Sequence, residues 1–186
     1  MKPWDILERK ELLDASPYLK LYRETIQIES GEIVDDYYTI DQRDFTEIFA
    51  MVSTREVLCI RHYKHGVKRI NLGLPAGYIE KGESPLSAAQ RELLEETGYS
   101  AKEWQPLGTF VVDGNRGCGN VHVFFASDLV KKQEPDPDDL ELISLETISL
   151  KKLPGLLANG EVATLGAAIG IALGLLHITL KAKSGV

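Results

Sequence analysis

The chain has 186 residues, 44% of them hydrophobic and 26% charged, which suits one folded domain with a small appendage and excludes a disordered or fibrous protein. Its 28 acidic residues against 21 Lys and Arg leave a formal charge of -7, which argues against a broad basic surface for nucleic acid but allows a small phosphorylated substrate in one cleft. The two cysteines, Cys59 and Cys118, lie far apart without metal-ligand spacing, so neither a zinc site nor a disulfide framework is expected.

In chain order, the first residues carry Lys2, Asp5, Glu8, Arg9, Lys10 and Glu11 where an export signal needs an apolar stretch, so the expected location is cytoplasmic. Leu21 to Ile28 and Ile33 to Ile40 read as strands joined by a turn at Glu29-Ser30-Gly31-Glu32, a β extension over residues 1–44. The main domain, residues 45–186, opens with two runs typical of buried strands, Phe45 to Val52 and Val57 to Tyr63, joined as a hairpin. After the extended stretch Ile70 to Ile79, Ser84 can cap a helix and Pro85 can take its first position; the helix should run to about Thr97 and stop at a left-handed Gly98. Strands are expected at Trp104 to Val112 and Val121 to Ala126, separated by the glycine-rich loop Asp113 to Gly119. An acidic loop, Glu134 to Asp139, precedes a strand at Leu140 to Leu145 and a closing helix from about Glu161.

Within that last helix, Gly166, Gly170 and Gly174 repeat the small-xxx-small spacing of membrane helices in a run without Asp, Glu, Lys or Arg. Its Ala, Gly and Thr content favours burial against a core or a partner subunit, so no membrane partner is expected. Strands interrupted by one strong helix and closed by another suggest an α/β layered fold.

The first helix carries the chemistry. At about 100° per residue, Leu86, Ala89 and Leu93 share one face and Glu92, Glu95 and Glu96 crowd the neighbouring arc. Arg91 can pair with Glu95, which leaves two acids to explain; a hard cation such as Mg2+, held by carboxylates and substrate phosphates, explains them, whereas the bland reading is a solvated acidic face.

Gly77, Glu83, Arg91, Glu92, Leu93, Glu95, Glu96 and Gly98 fill every fixed position of the pattern G-x5-E-x7-R-E-U-x-E-E-x-G-U, which ends here on Tyr99 where an aliphatic residue is usual. By this box the chain resembles the Nudix hydrolase family. Gly31 between the first strands, Arg61-His62-Tyr63-Lys64 and Leu74-Pro75-Ala76-Gly77 extend the likeness to the ADP-ribose pyrophosphatase branch. The resemblance implies the Nudix fold, a mixed β-sheet sandwiched between helices, with a small N-terminal antiparallel β extension that helps form a homodimer. It implies Mg2+, or Mn2+ in its place, held by Glu92, Glu96 and the carbonyl of Ala76, with Glu95 nearby as a further metal and catalytic candidate; Glu83 would either bind metal or hold Arg91.

The implied reaction is hydrolysis of the diphosphate bond of a nucleoside diphosphate linked to another group, with ADP-ribose as the small nucleotide substrate. The general base is expected among Glu134, Asp136, Asp138 and Asp139, Glu134 first. Lys64 and Arg116 are the candidate substrate-binding cations. The chain departs from the branch at Gly73, where Glu is frequent, at Lys64, where Arg is frequent, and in the Asp113 to Gly119 loop, which lacks a usual proline. That loop either lets backbone N–H groups approach phosphate beside Arg116 or is a tight hairpin connection with an exposed arginine. Competing readings are a hydrolase of another nucleoside-diphosphate sugar or of a nucleoside triphosphate, and a non-catalytic Nudix nucleotide sensor, which would tolerate loss of the acids retained here.

Overall fold

A computed structural model describes residues 2–136 and 142–184. The elements in chain order are β1 (Asp5–Ala15), β2 (Leu19–Gln27), β3 (Ile33–Gln42), β4 (Phe45–Ser53), β5 (Glu56–Lys64), β6 (Arg69–Gly73), β7 (Ala76–Tyr78), α1 (Pro85–Thr97), β8 (Tyr99–Asp113), β9 (Gly117–Lys131), β10 (Ser144–Ser149), α2 (Leu153–Ala158) and α3 (Leu165–Ser184). They form two compact units, residues 1–44 with 110–120, and residues 45–109 with 121–186.

In the smaller unit β1, β2 and β3 make an antiparallel meander, with Ala15 opposite Leu19 at the first turn and Gln27 opposite Ile33 at the second. The tip of the β8–β9 hairpin joins them, where Ile40 of β3 pairs in parallel with Gly117 and its N–H donates to the Arg116 carbonyl at 2.8 Å. Gly119, at φ 73°, lies so close to the Gln42 and Arg43 carbonyls that a Cβ would stand 2.8 Å from the Arg43 oxygen. The expected seven-residue loop is therefore shorter. Gly117, Cys118 and Gly119 belong to β9, and each has a left-handed backbone within that strand. Strand β1 was not foreseen, because its charged residues conceal the Ile6, Leu7, Leu12 and Leu13 side chains, all of which are exposed.

The larger unit is a mixed sheet between helices, as the resemblance implied. Strand β4 pairs in parallel with β9, from Phe45 and Val121 to Ala50 and Ala126, and antiparallel with β5 and β7. Strand β5 pairs with β6 and β10. Alternation along β4 divides the core: Ile48 and Ala50 pack with Ala89 and Leu93 of α1, while Phe49 and Met51 pack with Leu153, Ala167 and Ile171 on the other face. Each fully buried side chain such as Leu93 contributes about 1.5–3 kcal/mol. Leu86, expected on the buried face of α1, is exposed, whereas Ala89 and Leu93 on that face are buried.

The closing helix begins at Leu165 rather than near Glu161, and the short α2 precedes it. The strand expected from Leu140 lies partly outside the described residues; β10 starts at Ser144 and places Ile148 in the core. Helix α3 is long and apolar enough to cross a membrane by length and composition. Its glycines nonetheless have a local reason: a Cβ on Gly174 would stand 2.3 Å from the Phe49 ring, on Gly170 2.8 Å from Leu74, and on Gly166 3.0 Å from the Glu47 carboxylate.

Candidate active site

Helix α1 is delimited as its sequence predicts. The Ser84 hydroxyl accepts the Ser87 N–H at 3.1 Å, Pro85 occupies the first turn, and Gly98 takes φ 74° while donating to the Leu94 carbonyl. Gly98 is also sterically required, since a Cβ there would lie 2.1 Å from the Gln133 carbonyl oxygen. These two ends fix which turn of the helix presents its acids.

Arg91 is the hub of the acidic arc. Its guanidinium donates to both Glu83 oxygens at 3.0 Å, to Glu92 at 2.6 Å, to Glu95 at 3.0 Å and to the Tyr78 carbonyl at 2.9 Å. The sequence reading gave Arg91 only Glu95 and left Glu83 open; in the structure Glu83 holds Arg91 in a bidentate fork. That contact draws the Glu83 carboxyl below its ordinary pKa and, together with Glu92, holds Arg91 above its own. One cation thereby relieves the repulsion among three carboxylates and ties α1 to the chain leaving β7.

Glu96 and Glu92 both reach β7. Glu96, 5% exposed, accepts the Ala76 N–H at 2.8 Å. The Glu92 carboxylate lies directly over Gly77, where a Cβ would come within 2.0 Å of its carboxyl carbon. Gly77 is thus a cradle that any larger residue would fill. Glu92, Glu96 and the Ala76 carbonyl are oxygen donors, the type a hard divalent cation prefers. Among the described residues no three His, Cys, Asp or Glu side chains are gathered for a metal; Arg91 holds Glu92 and Glu95, and the Ala76 N–H holds Glu96. The donor chemistry and the Gly77 cradle fit such an ion.

Sequence reasoning missed Glu47. Only 4% exposed, it faces Gly166 and Gly170 of α3 and stands opposite Ala76 in the β4–β7 pair. Burial first, and the Glu96 carboxylate second, push its carboxyl well above the usual range; Lys64 and the Leu74 backbone oppose them. An acid within the apolar run Phe45 to Val52 was the available signal. Lys64, the expected substrate-binding cation of β5, thus carries a charge that acts on Glu47.

Glu134 is 91% exposed, 3.8 Å from Lys131, on the segment that returns past the end of α1; two residues on, the Asp136 N–H donates to the Glu95 carbonyl at 2.8 Å. Asp138 and Asp139 lie outside the described residues. Arg116 belongs to the smaller unit, exposed at the hairpin tip and 3.5 Å from Asp113, beside a cleft of about 330 Å³ lined by Trp4, Tyr37 and Tyr38.

A model of the NUDIX domain matches residues 45–165. An ADP-ribose pyrophosphatase of Bacillus subtilis (strain 168) is 27% identical over 154 residues, 82% of this chain and 83% of the relative. A methanol dehydrogenase activator of Bacillus methanolicus is 29% identical over 104 residues, 55% of this chain and 56% of the relative. A crystal structure of an ADP compounds hydrolase superposes with a TM-score of 0.84 at 21% identity, covering 100% of this chain and 98% of that one.

Proposed function

Because the chain belongs to the NUDIX domain family, we propose that it hydrolyses the diphosphate bond of a nucleoside diphosphate linked to another group, ADP-ribose being the best supported substrate. The carrying observation is the acidic helix seated on β7, with Glu96 accepting the Ala76 N–H, the Glu92 carboxylate over Gly77, and Arg91 bonded to Glu92 and Glu95. The Bacillus subtilis relative, aligned along most of both chains, directs the choice of substrate.

In this reading Glu92, Glu96 and the Ala76 carbonyl hold a divalent cation, Mg2+ or Mn2+, with Glu95 adjacent. Bound there, the ion supplies neutralisation of the diphosphate and a lowered pKa for the attacking water. Glu95 and Glu134 are the residues proposed to act on that water, Glu134 as the group that takes its proton. Water adds across the P–O–P bridge, so ADP-ribose yields AMP and ribose 5-phosphate. Lys64 and Arg116 offer charge to the phosphates. We further propose a cytoplasmic homodimer without nucleic-acid or membrane partners, consistent with the net charge of -7, with the glycine face of α3 packed on its own sheet, and with the exposed Ile6, Leu7, Leu12 and Leu13 of β1.

The test is chromatographic product analysis with Mg2+ and a panel of ADP-ribose, ADP-glucose, GDP-mannose, NADH and nucleoside triphosphates. Preferential conversion of ADP-ribose to AMP and ribose 5-phosphate is expected; cleavage of another compound instead would move the substrate, and tight binding without cleavage of any would leave a sensor. Glu134→Gln should lower kcat by about a hundredfold, and Arg116→Ala should raise KM more than it lowers kcat. Wild-type constants in either variant remove that residue from the scheme.

A further inference from the structure

Leu74, Pro75 and Ala76 lead the chain into β7, and each has a backbone group held by a different residue. The Ile48 N–H of β4 donates to the Pro75 carbonyl at 2.9 Å, and the register sets Glu47 opposite Ala76 at the next position. Bonded and non-bonded positions alternate along an antiparallel pair, so with Ile48 and Pro75 bonded, Glu47 and Ala76 are a non-bonded pair. Their N–H and carbonyl groups point away from the partner strand. The Ala76 N–H accordingly reaches Glu96 of α1 at 2.8 Å, and the Ala76 carbonyl, on the same edge of β7, also points away from β4.

Leu74 is held from the α3 side. Alternation places Glu47 on the same face of β4 as Phe49 and Met51, which pack against α3, and the buried Glu47 carboxyl accepts the Leu74 N–H. Helix α3 is shaped to admit this meeting. A Cβ on Gly166 would stand 3.0 Å from Glu47 Oε2, and one on Gly170 would stand 2.9 Å from Glu47 Cγ and 2.8 Å from Leu74 Cδ1. Packing alone does not call for an acid there, since burying a carboxyl is unfavourable and an apolar side chain of similar size carries no such penalty. The reaction scheme does not use Glu47 either.

We propose that Glu47 is a positioning residue for the Ala76 carbonyl: it holds Leu74 from the α3 side while Ile48 holds Pro75, and so fixes the direction of the chain that carries that carbonyl. The inference rests on the reading of Ala76 as a metal ligand. Its test is calorimetric titration of the full-length protein with Mn2+ alone, with no substrate present, alongside thermal melting. Glu47→Leu is expected to weaken Mn2+ binding by about tenfold while melting no lower than the wild type, because an apolar side chain replaces a buried acid. Glu47→Asp, one methylene shorter and drawn back from Leu74, should bind as weakly. Glu47→Gln, whose amide oxygen can accept the same N–H, should recover most of the affinity. Unaltered affinity in Glu47→Leu, or in Glu47→Asp should Glu47→Leu not fold, would reduce Glu47 to filling between sheet and helix and end the proposal. A Glu47→Gln protein as weak as Glu47→Asp would assign the effect to charge rather than to the bond with Leu74 and overturn it equally. Wild-type protein that takes up no Mn2+ would overturn the metal reading itself, and this inference with it.

Discussion

At the scale of single residues, the site depends on groups that are close to one another for opposite reasons. Gly77 is there because it has no side chain, and the Glu92 carboxylate occupies the space a Cβ would take. Gly77→Ala should displace that carboxylate and lower kcat by about a hundredfold while the circular dichroism spectrum stays unchanged; retained kcat would show that Glu92 is not needed where it stands. Arg91 is there for its fork, which spans Glu83, Glu92, Glu95 and the Tyr78 carbonyl at once. A lysine keeps the charge but not the geometry, so Arg91→Lys should reduce turnover by about tenfold or more in a protein that still folds. The box residues were legible because their spacing is a property of the chain. Glu47 was not, since it is one polar residue in a strand and acquires meaning only from the elements packed beside it.

At the scale of elements, α3 illustrates how one pattern serves two environments. Its glycine spacing would suit a membrane helix, yet each glycine faces a bulky group from the sheet or its edge, Glu47, Phe49 or Leu74. On the same helix His177 lies 4.7 Å from the Phe125 ring, with Nε2 buried and without a hydrogen-bond partner. Burial, and then Lys181, lower its pKa below 6.5. The unfolded chain therefore takes up a proton at higher pH than the folded one, so this residue destabilises the fold as pH drops through about 6.5 toward the folded value. His177→Leu should raise Tm by about 2 °C or more near pH 5.5 and by less near pH 8. A gain that does not depend on pH would assign the effect to packing alone.

At the scale of the whole molecule, residues 1–44 do not stand alone, because the hairpin tip 110–120 belongs to the same compact unit. Removing residues 1–44 takes away the Ile40 partner of Gly117 and the Asp44 carboxylate that accepts from the Asn120 backbone and side chain. The truncated chain should melt several degrees lower, about 5 °C, and be cut by trypsin after Arg116 far sooner than the full chain; equal cleavage rates would show that the tip needs no such support. The sequence by itself determined the first helix with both its caps, the acids it carries, the strands of most of the sheet and, through the box, the family. Those features are local: a cap, a period or a motif acts within a few residues of itself. Only the tertiary structure decided that Glu83 clamps Arg91, that Glu47 is buried near Glu96, that the glycine-rich segment continues a strand, and that the α3 glycines admit Glu47, Leu74 and Phe49. Each of those joins residues distant in the chain, or sets a local pattern against a surface the chain builds elsewhere, and a linear reading contains no term for where that surface will be.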